Sequence, residues 1–276
     1  MQLSKTPRAD HDAVQGKVKA LPGDANKLCL LALGIVFLPP PSTNLIWVDG
    51  EGVRRLSSLL ILRDITAKVN EGRPTAEKVR PCEIFDIIGG TGTGGLIAIM
   101  LGRLGMDIDT CIDQYTGLFE GIFKDKAHMW PVNWTGNIQP LFSSKALEKA
   151  ITKVVKSCGL PADAKLNDGE HRDCHTLVIR RFKDYDIPGE PKDPLDVTII
   201  QAALATSAVS TFFDSVQISD RFFRDGGTGA NNPVFDVWNE AQNIWDNDSG
   251  HLHDILGCIL SIGTGDPGMT PLHEKS

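Results

Sequence analysis

Cys82-Glu83-Ile84-Phe85-Asp86-Ile87-Ile88-Gly89-Gly90-Thr91-Gly92-Thr93-Gly94-Gly95-Leu96-Ile97-Ala98-Ile99-Met100-Leu101 is the stretch on which the reading of this chain turns. Residues 82–88 read as a strand, 89–95 as a tight glycine turn, and 96–101 as the start of a helix that fades near Gly105. A short apolar run bounded by breakers is strand-like, and clustered glycines punctuate the chain. Working outward, helical spacing is expected over 56–69 (closed by Gly72-Arg73-Pro74), 108–123, 144–157, 199–206 and 234–245. Strands are expected at 28–38, 45–48, 176–179 and 255–262, with Asp49-Gly50-Glu51-Gly52 as a turn and residues 1–27 as a loose polar tail. Strands alternating with helices predict an α/β fold, a mainly parallel central sheet flanked by helices.

Composition narrows the function classes. The 276 residues carry a net charge of −7 and no dense Lys/Arg stripe, which excludes nucleic acid as the default partner. A membrane-spanning helix needs about 20 consecutive apolar residues, and the best candidate, 28–38, ends in Pro39-Pro40-Pro41. It is also a poor secretory signal, because mixed-charge polar residues precede it and no small-residue cleavage site follows. The six cysteines include no CxxC pair, so reduced thiols and a cytoplasmic setting are expected. His171-x-x-Cys174-His175 reads as a polar loop without a fourth ligand, and no metal site is assigned. His251 and His253 read as loop residues before the last strand.

The glycine turn admits three readings. Gly90-x-Gly92-x-x-Gly95 matches a dinucleotide-binding turn, which also needs an acidic residue at the end of a second strand about 20 positions on. Asp107 and Asp109 fall near that distance, but at the start of a helical stretch. Gly90-Thr91-Gly92-Thr93-Gly94 also has the form of a nucleophile elbow, with a glycine two residues either side of the turn's centre and glycine where the nucleophile belongs. The third reading is a plain turn. Elsewhere, residues 49–54 have the form of an anion-cradling loop ahead of a helix. Asp225-Gly226-Gly227 places a carboxylate in a glycine turn.

Taken together and in order, these segments resemble the patatin-like phospholipases, lipid acyl hydrolases that use a Ser–Asp dyad. The family's oxyanion loop, D-G-G-G-x-R-G, is similar to Asp49-Gly50-Glu51-Gly52-Val53-Arg54-Arg55, its elbow G-x-S-x-G to residues 90–94, and its D-G-A/G motif to Asp225-Gly226-Gly227. Gly229-Ala230-Asn231-Asn232-Pro233, Ala205-Thr206-Ser207-Ala208 and Ser261-Ile262-Gly263-Thr264-Gly265 extend the likeness. The resemblance implies a three-layer patatin-like domain over residues 28–276, with no metal or organic cofactor. Asp225 would be the proton acceptor, Gly92 the nucleophile position, Gly50, Gly52 and Arg54 the oxyanion loop, and Gly90 and Gly94 the flanks of the elbow. The implied partner is a lipid or acyl ester, with peripheral membrane contact; Trp130 and Trp134 read as packing residues of a loop.

The departures from the pattern carry as much weight as the matches. Gly92 has no hydroxyl, so no acyl-enzyme can form there. Glu51 puts bulk and negative charge where an anion would be held, and Arg55 replaces the last glycine of the loop. Thr91 and Thr93 carry hydroxyls, but a shift of one residue redirects a side chain. Residues 34–48 read as an insertion between the first strand and the loop. The chain stops soon after a strand and turn, as the front part of a longer protein would. The expectation is an acyl hydrolase domain inactive as written. Its alternatives are a non-catalytic lipid-binding or regulatory interaction module and, from another class, a dinucleotide-binding oxidoreductase.

Overall fold

The computed structural model describes residues 27–34, 48–124, 142–178, 182–183, 196–208, 213–223, 232–245 and 252–263. Its sheet includes the interior strand β1 (Leu28–Leu33), whose six residues are all buried. An unbroken apolar strand of this kind belongs inside a parallel sheet covered on both faces. Its side chains alternate between two cores. Leu28, Leu30 and Ala32 pack with Ile87, Leu177, Val237, Ala241 and Leu252. Cys29, Leu31 and Leu33 point the other way, into a larger cluster with Leu59, Leu62, Leu96, Ile151 and Ala203.

The sheet order is β4-β3-β2-β1-β7, where β2 is Ile87–Gly90, β3 His175–Val178, β4 Phe182–Lys183 and β7 Leu256–Ile262. The pairs β1–β2, β1–β7 and β2–β3 are parallel, and the two-residue edge strand β4 is antiparallel to β3. Helices α7 (Val234–Trp245) and α8 (Leu252–Ile255) cover the first core. The second lies under α1 (Val48–Val69), α3 (Thr93–Ala98), α4 (Ile108–Lys124), α5 (Ser144–Ser157) and α6 (Ile199–Ser207). The mainly parallel sheet with helices on both faces is the expected α/β architecture.

Several expectations are corrected. Residues 82–88 are not one strand: Pro81–Ile84 form a helical turn, α2, and β2 begins only at Ile87. Pro81 stands at the first position of that turn, where its fixed φ and missing N–H suit a helix, and the Arg80 N–H donates to Glu83 Oε2 at 2.8 Å. Asp86 then opens the ladder, its N–H donating to the Cys29 carbonyl (2.7 Å) and its Oδ2 accepting the Cys29 N–H (2.7 Å). The strand expected over 28–38 ends at Leu33; of 45–48, only Val48 lies among the described residues, and it begins α1. The turn expected at 49–52 is instead the first turn of α1. Extending an existing helix adds a hydrogen bond per residue fixed, so even Gly50 and Gly52 are incorporated. His175 is the first residue of β3, its ring 5.5 Å from that of Trp245, so it does not belong to a loop. His253 lies in α8, 4.8 Å from the Trp238 ring, while His251 lies outside the described residues. A short hairpin, β5 (Val216–Ile218) with β6 (Arg221–Phe223), is not among the elements expected from the sequence; Ser219 turns it at φ +56°.

Helix α3 runs into a single π-turn, Ile99–Arg103. At its end Arg103 is buried and donates to the carbonyls of Leu166 (2.7 Å) and Lys165 (2.9 Å) and to Asp168 Oδ2 (2.7 Å). Arg172 donates to the same carboxylate at 2.6 and 2.7 Å. Hydrogen bonds from Arg172 first, then the Glu170 N–H and the charge of Arg103, hold the Asp168 carboxyl well below the usual carboxylate range against its desolvation. A folded pKa below the unfolded value of about 3.9 contributes stability above that pH, lost as pH falls below it. Urea midpoints of the wild type should therefore fall between about pH 4 and pH 2 more steeply than those of Asp168→Asn; parallel profiles would sink this assignment.

Two glycines of α4 contrast with those of the glycine turn. Gly117 and Gly121 are exposed, and an added Cβ would meet nothing within 4 Å. Glycine inside a helix is destabilising relative to alanine, so Gly117→Ala and Gly121→Ala should each raise stability by roughly 0.5–1 kcal/mol in chemical denaturation.

Candidate functional site

The site is built at the carboxyl end of β2. The ladder continues one residue past the strand, where the Thr91 N–H donates to the Leu33 carbonyl at 3.1 Å. Gly92 then reverses the chain with φ +57° and ψ −127°, and α3 starts at Thr93. This is a strand, a one-residue inversion and a helix, the geometry of a nucleophile elbow. Left-handed φ with extended ψ is reached freely by glycine and only with strain by a residue bearing a Cβ.

Packing explains the neighbouring glycines. A Cβ on Gly90 would collide with the backbone of Gly94, and one on Gly94 with the Leu33 carbonyl. On Gly95 it would strike the Thr206 hydroxyl, and on Gly89 the Val237 side chain on the other face. The elbow is thus pressed against β1, α6 and α7 at once. These contacts give each glycine a packing reason.

The Gly92 carbonyl accepts three donors: the Gly95 N–H at 3.0 Å, the Leu96 N–H at 3.4 Å and the Thr206 hydroxyl at 2.9 Å. Thr206 is fully buried in the last turn of α6. That helix is set by a capping box, in which Thr198 Oγ1 accepts the Gln201 N–H and the Gln201 side chain accepts the Thr198 N–H. From sequence, Thr206 is only part of a family-like segment, with no role. Its partner stands 114 residues away, and no periodicity reports such a contact.

Thr91 and Thr93 are 2% and 8% exposed, so neither hydroxyl stands open to solvent in place of the missing one. Among the described residues, the Thr91 hydroxyl has no hydrogen-bond partner. Asp107, a candidate acid for the dinucleotide reading, instead caps α4, its Oδ1 accepting the Thr110 N–H at 2.9 Å and its Oδ2 the Thr110 hydroxyl at 2.6 Å. The chain passes from α3 into α4 with no second strand between them, so the arrangement that motif requires is not built.

Of the other predicted site residues, Gly50, Gly52 and Arg54 have their backbone in the first two turns of α1. Asp225 lies outside the described residues, as do Trp130 and Trp134. The flanks of the Asp225 segment are in place: β6 ends at Phe223, and α7 begins at Val234. Asn232 ties the start of α7 to the carboxyl end of β7, its Oδ1 accepting the Val234 N–H (3.1 Å) and the Ser261 hydroxyl (3.3 Å). The Gly34 N–H donates to the Ile262 carbonyl (3.1 Å) and the Ser58 hydroxyl to the Gly263 carbonyl (3.3 Å). The carboxyl ends of β1, β2 and β7 therefore meet beside the elbow, where open α/β sheets bind ligands. Beyond the elbow, Leu96, Met100, Leu104, Ile151, Ile199 and Ala203 contribute to a cavity lined by apolar side chains alone.

Compared with known families, the chain matches patatin-like phospholipase over residues 59–238. The chain belongs to the patatin-like phospholipase family. The matched span contains the elbow, Thr206 and Asp225, and begins beyond Arg54. Among patatin-like relatives, calcium-independent phospholipase A2-gamma of Oryctolagus cuniculus is 25% identical over 230 residues, covering 79% of this chain and 27% of its own length. A cGAMP-activated phospholipase of Escherichia coli is 27% identical over 244 residues, covering 81% and 62%. Patatin-like protein 2 of Arabidopsis thaliana is 27% identical over 270 residues, covering 82% and 61%. The chain thus spans about a quarter of the first of these relatives and about three fifths of the other two. Among the described residues, no helix is long and apolar enough to cross a membrane.

Proposed function

We propose that this chain is a lipid acyl hydrolase domain whose covalent step is missing, so that it binds glycerolipid or another acyl ester without turning it over. One observation carries the reading: the elbow is built in full, but the residue at its apex, φ +57° and ψ −127°, is Gly92. In a working site, a serine there would attack the ester carbonyl while Asp225 accepted its proton. An aspartate serves as base where an apolar site raises its pKa toward the working pH. The tetrahedral oxyanion would be held by N–H groups of the first turn of α1, which includes Gly50 and whose N–H groups have no partner within the helix, with Arg54 orienting it. Without a hydroxyl at position 92 that sequence has no first step. The cavity beyond the elbow, lined in part by Leu96 and Met100, is apolar but at about 20 Å³ far too small for an acyl chain, so the lipid is assigned from the elbow and not from this cavity.

The reading includes a single domain over residues 28–276 with 34–48 as an insertion, a cytoplasmic location with peripheral contact to lipid surfaces, and no cofactor. A regulatory interaction module that keeps the fold without binding lipid is the second reading; the bulk and charge of Glu51 and Arg55 in the loop favour it. A fluorescent acyl ester assayed with wild type, Gly92→Ser and Gly92→Ser/Asp225→Asn separates the two. Turnover appearing in the first variant and vanishing in the second supports the hydrolase lineage. Turnover by the wild type at an ordinary enzymatic rate would refute the vacant-nucleophile reading. Phosphatidylcholine vesicles that do not retain the wild type, combined with an inert Gly92→Ser protein, favour the interaction module.

A further inference from the structure

Glycine at position 92 needs no help to adopt its inverted conformation, yet its carbonyl is held by three donors. Two of these, the N–H groups of Gly95 and Leu96, belong to the turn itself and come with the start of α3. The third is a side chain brought in from α6, the Thr206 hydroxyl at 2.9 Å, buried and donating its proton to that oxygen. The next hydroxyl, Ser207, is spent within its own helix on the Ala203 carbonyl at 2.8 Å. Thr206 is also wedged against the elbow, because any Cβ on Gly95 would meet its hydroxyl and methyl groups. A side chain so placed fixes the orientation of the peptide that follows residue 92, since a planar trans peptide turns as one unit.

We infer that Thr206 is the positioning residue of the elbow: its hydroxyl clamps the peptide after residue 92 in the inverted conformation a nucleophile at that position must hold. The inference rests on the hydrolase reading for its consequence and on geometry alone for the clamp. With glycine at position 92 the clamp is nearly redundant. With serine there, it opposes the strain of a positive φ. Positions 92 and 206 should therefore be energetically coupled, and more than additively so.

The test is a double-mutant cycle in the full chain, comparing wild type, Gly92→Ser, Thr206→Val and Gly92→Ser/Thr206→Val, with Gly92→Ser/Thr206→Ser as the hydroxyl-retaining control. Labelling by a fluorophosphonate probe and turnover of a short acyl p-nitrophenyl ester are read beside urea unfolding. In the Gly92→Ser background, Thr206→Val should slow labelling by about tenfold and lower kcat with KM unchanged, the loss expected for one hydrogen bond that orients the nucleophile. Thr206→Ser should restore the rate. In unfolding, Thr206→Val should lower the midpoint more in the Gly92→Ser background than in the wild type. Equal labelling of folded Gly92→Ser and folded Gly92→Ser/Thr206→Val, or additive unfolding midpoints, overturns the inference. If Gly92→Ser is folded but unlabelled, the hydrolase reading fails while the unfolding cycle still decides the clamp. Should the valine variants not fold, Thr206→Ala takes their place in the same cycle.

Discussion

Gly92→Ser is expected to raise acyl-ester turnover by on the order of 10³ or more while lowering the stability of the fold. Removing the nucleophile of a serine protease costs on the order of 10⁶ in turnover, so its restoration has the largest effect available at this site. The full factor is not expected back. On the proposed placement of residues 49–55 as the oxyanion loop, Glu51 and Arg55 replace glycines, and a single lost oxyanion donor costs about 10²–10³. The same substitution forces a Cβ into φ +57°, ψ −127°, a strain of about 1–3 kcal/mol. For a domain of this size that is a fall in Tm of roughly 2–10 °C. Ester hydrolysis and thermal unfolding measured on one preparation check both halves. Higher turnover with an unshifted Tm would mean that residue 92 does not hold this conformation, and a lower Tm with no turnover would mean that the remaining machinery is lost as well.

Gly94→Ala should destabilise the protein by more than about 3 kcal/mol, because the new methyl group meets backbone and not a side chain that can swing aside. Its Cβ would lie against the Leu33 carbonyl at the end of β1, an interior strand of the sheet. Gly90→Ala should be comparable, since its Cβ falls on the Gly94 carbonyl group within the same turn. Urea midpoints of these variants beside Gly117→Ala make the comparison internal: one substitution type, opposite signs. A Gly94→Ala protein within about 1 kcal/mol of wild type would show that β1 and the elbow are not in this contact.

How much was legible from the chain follows from the range of the forces involved. Helix α5 has the ends its amphipathic spacing predicts, Ser144–Ser157, and its start is local: Ser143 caps the first turn by accepting the Ala146 N–H. Helix α6 has nearly the extent its spacing predicts, and its start is local too, with Thr198 and Gln201 forming its capping box. Residues 82–88 misled because Cys82, Ile84 and Phe85 are apolar in a short run, which suits a strand and a buried helical turn alike. The β5–β6 hairpin escaped because three-residue strands are too short to show a period. At 49–52 the glycine content predicts a turn, and helix propagation overrides it.

The residues alone determined the kind of fold and the absence of a hydroxyl at position 92. A buried apolar strand, a glycine turn and a following helix need only local pattern, and a hydroxyl absent from position 92 is absent whatever the chain does around it. Tertiary structure decided what that position is. The contacts that define it join segments far apart in sequence: Leu33 with Gly94, Val237 with Gly89, and the Thr206 hydroxyl with the Gly92 carbonyl across 114 residues. Spacing along a chain encodes which face of its own element a residue occupies. It does not encode which other element will close upon that face, and at Gly92 that element is α6, through the Thr206 hydroxyl.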